Sequence, residues 1–110
     1  MEIDIAGRHF QVTEPLKAYI AEKMEKLDKY KLKLELAHVV LEVQKFHHLC
    51  EITLVGKNLR MTAKNEAADM YAAFDNCFGN VQLQLRRQHD RVRDHKGRRY
   101  AKGSKKEVAE

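Results

Sequence analysis

Three neighbouring side chains in this sequence of 110 residues, His47, His48 and Cys50, have the chemistry to ligate a metal ion. A structural zinc site needs a further group of ligands, and the sequence has neither a C-x-x-C pair nor an H-E-x-x-H motif. His47 and His48 fall where one predicted strand gives way to the next, and we interpret them as polar turn residues. We therefore expect neither a metal nor another cofactor.

Nucleophilic and phosphate-binding chemistry also lacks its usual motifs. The single serine, Ser104, lies close to the C-terminus, no G-x-S-x-G is present, and no glycine-rich loop follows a predicted strand. Glu42 and Glu51 lie on the polar faces of predicted strands, where they are most simply solvated partners of Lys or Arg. We expect a protein that is not an enzyme and that has no small-molecule substrate.

Basic residues are the remaining candidates, and they are unevenly distributed within a net charge of +5. Residues 86–106 contain ten Lys and Arg and two acids, a charge of +8, whereas the other residues contain 11 basic and 14 acidic side chains, a charge of −3. Such a block favours a polyanion as partner, either nucleic acid or an anionic membrane. A solvated helix face followed by a basic tail is the alternative.

Two bands of these cations fall on predicted helices. Lys23 and Lys26 share a flank of the first helix away from its apolar face, whereas Arg87 and Arg91 lie four residues apart on the second. If the helices pack side by side, the bands form one positive surface that suits an RNA backbone. The candidate RNA-binding residues are Lys23, Lys26, Lys29, Arg86, Arg87, His89, Arg91 and Arg93.

Ordinary solubilisation is the alternative for the first helix, through the pairs Glu22–Lys26 and Glu25–Lys29. Aromatic residues make up only 7% of the chain, and most lie on predicted core stripes. Because no exposed aromatic pair is expected on the sheet, we expect recognition of the RNA backbone rather than of base sequence.

The elements that position these residues follow from hydrophobic periodicity. Alternating apolar and polar residues predict strands over residues 2–8, 36–45, 50–54 and 59–64, the last three forming an antiparallel meander. One face of the last two strands should be buried against helices. Its residues are Cys50, Ile52, Leu54, Leu59, Met61 and Ala63.

Helical spacing predicts one helix from the N-cap Thr13 to near Tyr30, and a second from about Glu66 through Val92. The stretch 29–33 between the first helix and the next strand should bury nothing. The order β-α-β-β-β-α predicts an α+β fold of two layers, a four-stranded sheet with two helices packed on one face. We expect one domain over residues 1–95 and a basic, disordered tail over residues 96–110.

Cellular context follows from two further features. No apolar run is long enough for a membrane span, and the N-terminus lacks a secretory pattern, so we expect a cytoplasmic protein that does not enter membranes. In that reducing compartment, Cys50 and Cys77 should be buried free thiols, a disulfide or redox switch being the alternative.

Several segments together resemble one known family. I-D-I-A-G at residues 3–7, T-E-P-L at 13–16 and K-M-E-K-L at 23–27 resemble the start of the ribosome hibernation promoting factor family, also called ribosome-associated inhibitor A. D-M-Y-A-A-F-D at residues 69–75 is similar to the family's D-M-Y-A-A-I-D. Q-L-R-R-Q-H-D-R at 84–91 is similar to its R-Q-L-x-K-H-K-D-K run. The resemblance covers residues 1–95 and corresponds to the short form of the family.

The resemblance implies a double-stranded-RNA-binding-like fold that docks in the mRNA and tRNA channel of the small ribosomal subunit. Lys and Arg of both helices would contact rRNA there, and translation would stop sterically. Asn80, Leu83 and His89 stand where the family's run has basic residues, which predicts a contact shifted toward the end of the helix. We expect a monomer off the ribosome. A general RNA-binding chaperone or an anionic-surface adaptor is the alternative.

Overall fold

Strands and helices follow one another in the predicted order β-α-β-β-β-α along the part of the chain that the structure describes. The computed structural model describes the backbone of residues 1–97 and the side chains of residues 1–90. Its elements are β1 (Glu2–Arg8), α1 (Glu14–Glu25), a 3-10 turn (Lys26–Tyr30), β2 (Leu34–Gln44), β3 (His47–Gly56), β4 (Leu59–Ala67) and α2 (Met70–Gly97). The α+β class is therefore confirmed. None of the helices described is long and apolar enough to cross a membrane.

The four strands form one sheet in the order β1-β2-β3-β4. β2, β3 and β4 are an antiparallel meander, as predicted, whereas β1 lies parallel to β2 with Ile5 opposite Val39. A parallel pair cannot be joined by a tight turn, so the chain needs a crossover between these strands. Helix α1 and the 3-10 turn provide it.

The predicted register of the meander is confirmed. Ile52 lies opposite Ala63 and Leu54 opposite Met61, so these four side chains share one face of the sheet. Of the six residues predicted for this face, four are buried and two are partly buried against the core. The buried residues are Cys50, Ile52, Leu54 and Ala63, and the partly buried ones are Leu59 and Met61. A shift of one residue would have exposed the whole set.

The first helix begins as its sequence predicts but ends differently. The Thr13 hydroxyl accepts a hydrogen bond from the Leu16 backbone N–H at 3.4 Å, and Pro15 lies in the first turn. The α-helix ends at Glu25 and continues as a 3-10 turn to Tyr30. The prediction that residues 29–33 bury nothing was wrong, because Tyr30 is only 8% exposed.

The second helix begins at Met70, four residues after its predicted start, because the chain remains paired in β4 through Ala67. Asp69 caps it, with Oδ1 accepting a hydrogen bond from the Ala72 backbone N–H at 2.9 Å. Its backbone continues to Gly97, so the first two residues of the predicted tail belong to α2. Residues 98–110 of that tail lie outside the described residues.

Two buried thiols join the sheet to α2, and both are free, as predicted. The Cys77 thiol donates to the Ala63 carbonyl oxygen at 3.2 Å, and it also contacts Cys50. The hydrogen bond with Cys77 and burial raise the pKa of Cys50 above its ordinary value. Cys50 is therefore a neutral, apolar packing group at neutral pH.

The helices cover the apolar face of the sheet, and the Phe74 side chain is fully buried between the layers. We expect Phe74→Ala to lower the free energy of unfolding by about 3–5 kcal/mol, since it leaves a cavity. Phe46→Ala is the matched control, because Phe46 is 90% exposed and its truncation should change stability by less than about 0.5 kcal/mol. Urea denaturation measures both. Equal losses would contradict this assignment of core and surface.

Candidate nucleic-acid interface

The two helices run parallel and side by side, which brings the predicted basic bands onto one layer of the molecule. Near their N-terminal ends, the Tyr19 ring lies 5.2 Å from that of Tyr71 and 6.0 Å from that of Phe74. Farther along both chains, the Tyr30 ring lies 6.0 Å from that of His89. The contacts advance in the same direction on both segments, so the side-by-side packing on which the RNA-binding prediction depends is present.

The carboxylate of Asp75, near the beginning of α2, joins that helix to the middle and last turn of α1. The Tyr19 hydroxyl donates to Asp75 Oδ1 at 2.7 Å, and Lys23 Nζ donates to the same oxygen at 3.4 Å. Lys23 Nζ also lies 5.4 Å from the Tyr19 ring centroid and 5.3 Å from that of Phe78. Lys23 therefore lies at the seam between the helices, where its partly exposed side chain contacts α2.

This joint shifts two pKa values. The hydrogen bond to Asp75 and desolvation raise the pKa of Tyr19, because both disfavour the phenolate. Burial alone would lower the pKa of Lys23, but the hydrogen bond with Tyr19 and the charge of Asp75 outweigh it and raise that pKa. Tyr19 is thus a neutral donor and Lys23 a cation throughout the physiological range.

A second contact joins the 3-10 turn to α2. Lys29 Nζ lies 5.3 Å from the centroid of the Tyr30 ring, which in turn contacts the half-exposed His89. His89 Nδ1 is 3.5 Å from Asp90 Oδ1. Tyr30 therefore brings Lys29 and His89 into one neighbourhood, which connects the first basic band to the second.

Several exposed cations on this layer have no ion-pair partner among the described side chains. Lys26 and Lys29 are exposed, and neither of the Glu–Lys pairs proposed for simple solubilisation lies within ion-pair distance among the described side chains. Arg86 and Arg87 are exposed on α2 and form no ion pair with carboxylates of residues 1–90. Arg91 and Arg93 lie on the α2 backbone, and their side chains are outside the described part.

The opposite face of the sheet carries three ion pairs, although Arg60 and Lys64 on it are exposed and have none among the described side chains. Asp4 binds His38 at 2.7 Å and Glu42 binds Arg8 at 3.5 Å, each across β1 and β2. His47 Nδ1 lies 2.8 Å from a carboxylate oxygen of Glu66. The interpretation of His47 and its neighbour as turn residues was wrong, since both belong to β3. Among the side chains of residues 1–90, no cluster of three metal-ligating groups occurs.

One exposed aromatic residue was missed by the sequence analysis. Phe46 occupies the turn between β2 and β3 and is 90% exposed, more than any other large hydrophobic side chain described. Its position between two alternating strands, next to Lys45, was the available signal. The sequence analysis considered exposed aromatic residues only on strands, and Phe46 lies in a turn.

The architecture and the helix-side charge agree with one family of proteins. Residues 3–93 match the family model described as sigma 54 modulation protein / S30EA ribosomal protein. The chain belongs to this family. The resemblance noted from the sequence is thereby confirmed.

Similar members have short chains like this one. The chain is 33% identical over 95 residues to the ribosome hibernation promoting factor of Salmonella typhimurium, covering 86% of this chain and all of that protein. It is 32% identical over 95 residues to the protein of that name from Escherichia coli, again covering 86% of this chain and all of the relative.

Solved structures have the same fold. The N-terminal domain of Protein Y from Thermus thermophilus superposes with a TM-score of 0.72 at 29% identity, covering 79% of this chain and 98% of that one. A ribosomal subunit interface protein from Coxiella burnetii gives a TM-score of 0.75 at 17% identity, covering 80% and 97%, and shows the fold alone. The predicted two-layer architecture is confirmed.

The hydrogen bond from Tyr19 to Asp75 should be visible in the ionisation of tyrosine. In an absorbance titration, one tyrosine should ionise above the usual pH, and Tyr19→Phe should remove that component. Asp75→Asn should return the pKa of Tyr19 toward its ordinary value, because the acceptor of its hydrogen bond loses its charge. Since the raised pKa favours the protonated folded state, this contribution to stability is lost as pH rises above about 10. A titration unchanged in Tyr19→Phe would contradict the joint.

Proposed function

We propose that this protein binds the small ribosomal subunit and silences translation by occupying the path of mRNA and tRNA. The proposal rests on the side of the molecule formed by α1, the 3-10 turn and α2, which we call the helix layer. Its exposed cations have no ion-pair partner among the described side chains; they are Lys26, Lys29, Arg86 and Arg87. Relatives that this chain matches over their whole length are named ribosome hibernation promoting factors. Both lines favour a ribosomal partner.

Electrostatics explains how such a layer recognises RNA. Each Lys or Arg that neutralises a phosphate releases condensed counterions, so unpaired surface cations contribute more than cations already held by carboxylates. Lys23, shared with Asp75, would mainly fix the distance between the helices, whereas Arg86 and Arg87 contact phosphates. Arg91 and Arg93 extend the proposed contact along α2, and His89 joins the two bands at Tyr30.

The inhibitory mechanism is steric. A domain seated on rRNA in the channel excludes tRNA and mRNA by its volume, which requires no catalytic residue, cofactor or small-molecule substrate. The protein acts in the cytoplasm, where ribosomes translate, and binds as a monomer. The basic segment over residues 96–110 adds charge to the same interaction. A general RNA chaperone would use the same cations without preferring the ribosome.

Charge reversal on α2 tests the electrostatic part. Arg86→Glu with Arg87→Glu should weaken binding to purified small subunits and reduce the magnitude of the log–log salt slope by about 1.4–1.8, since two phosphate contacts are lost. The matched control is Lys57→Glu with Arg60→Glu, which changes net charge equally on exposed residues of the β3–β4 hairpin. Equal effects of the two variants would indicate unspecific attraction to a polyanion.

Competition tests the steric part. The wild-type protein should displace tRNA from the small subunit in a filter-binding assay, without nucleotide consumption or RNA cleavage. In a sucrose gradient, the protein should migrate with ribosomal particles rather than spread over free RNA. Simultaneous occupancy with tRNA would exclude the proposed location, and a spread distribution would favour the RNA chaperone.

A further inference from the structure

The turn between β2 and β3 presents an aromatic ring to solvent on a rigid support. β2 and β3 are the longest strands of the sheet, and their pairing continues to Gln44 opposite His47, directly beneath the turn. Lys45 adopts a left-handed conformation with φ 55°, and Phe46 follows it. The 2.8 Å pair between His47 and Glu66 ties the base of the turn to β4. The backbone at Phe46 is therefore held between paired residues on both sides of the turn.

The surroundings of Phe46 distinguish between possible partners. Its neighbours in the chain, Gln44, Lys45 and His47, are all exposed and polar, so the turn itself offers no second apolar side chain beside the ring. An aromatic anchor in a protein interface is typically surrounded by other contacts that exclude water. Stacking on an unpaired base needs only the face of the ring, together with a nearby cation for the phosphate. Lys45 supplies that cation.

We propose that Phe46 stacks on an unpaired RNA base while Lys45 contacts an adjacent phosphate. This inference rests on the proposed function, because it assumes an RNA partner, and adds a contact separate from the helix layer. The hairpin tip lies at the end of the sheet where α2 begins, since His48 pairs with Ala67 just before Met70. Arg86 is sixteen residues farther along α2, roughly 24 Å at the helical rise.

Two contacts so far apart would fix the orientation of the protein on its RNA. The arginines of α2 attract any phosphate backbone, whereas a stacked base occurs only where the RNA presents an unpaired nucleotide. Phe46 would thus select the docking position within a large and uniformly charged target. This adds recognition of a base to the backbone recognition expected from the sequence.

A tryptophan substitution reports on the ring directly, because the chain contains no tryptophan. Phe46→Trp keeps an aromatic face. In the unbound variant, the tryptophan fluorescence should be that of a solvated indole. On binding small subunits, we expect strong quenching without a blue shift, as stacking on a base produces. A blue shift without quenching would indicate a protein pocket, and unchanged emission in a bound complex would mean no contact. Either result overturns the inference.

Truncation separates stacking from charge. Phe46→Ala should weaken binding by a roughly constant factor, about 5- to 150-fold, at every salt concentration, because stacking releases no counterions. Lys45→Gln should instead reduce the magnitude of the salt slope by about 0.7–0.9. Asn58→Gly, at the exposed tip of the other hairpin, is the control and should bind like wild type, since glycine accepts the φ of 61° at that position. Wild-type affinity in Phe46→Ala overturns the inference and leaves the proposed function standing.

The two proposals fail in different ways. If the wild-type protein does not bind small subunits, the proposed function fails and the inference fails with it. If only the tryptophan variant fails to bind, the Phe46→Ala salt series decides, since alanine cannot clash with a base. Phe46→Tyr should retain nearly full affinity, because it keeps the stacking face.

Discussion

The sheet has one apolar face, and the need to cover that face determines most of this structure. Strands of alternating pattern place Val39, Ile52 and Ala63 on the same side, where water must be excluded. One helix is too narrow for four strands, so α1 and α2 lie beside each other with Phe74 buried beneath them. The inner faces of both helices therefore pack against the sheet. Their cations are left facing outward on a common layer, and a broad basic surface follows from the hydrophobic core.

Ion pairs and unpaired charges occur on both sides of the molecule. On the open face of the sheet, pairs such as Asp4–His38 and Arg8–Glu42 neutralise one another across strands. On the helix layer, Asp75 satisfies Lys23, but Arg86 and Arg87 have no such partner among residues 1–90. Under the proposed function, these arginines and the basic residues that follow them in the sequence would attract a polyanion to the helix layer. In the further inference, the Phe46 turn, at one end of the sheet, would then distinguish positions along that polyanion.

Periodicity predicted the strands, the register of the meander and the core, because burial on one face constrains every second residue. The same reasoning did not predict the contact of Lys23 with Asp75, since helical spacing shows which residues share a flank but not where a neighbouring helix packs. It also missed the burial of Tyr30, whose ring is covered only when α2 lies beside the 3-10 turn. Phe46 was overlooked because a turn residue has no periodic signature. The cations of the interface were recognised by composition, whereas their partners depend on tertiary contacts.

The parallel pairing of β1 has a consequence for how the chain folds. Each residue of β1 pairs with one that lies 34 positions later in the sequence, as in Glu2 with Leu36 and Arg8 with Glu42. The hairpins of the meander close over much shorter loops, so they incur less entropy before contacts form. β1 is synthesised first and yet has no partner until the crossover and β2 have followed. The meander with α2 is therefore expected to form the folding nucleus, with the N-terminal strand docking late along its edge.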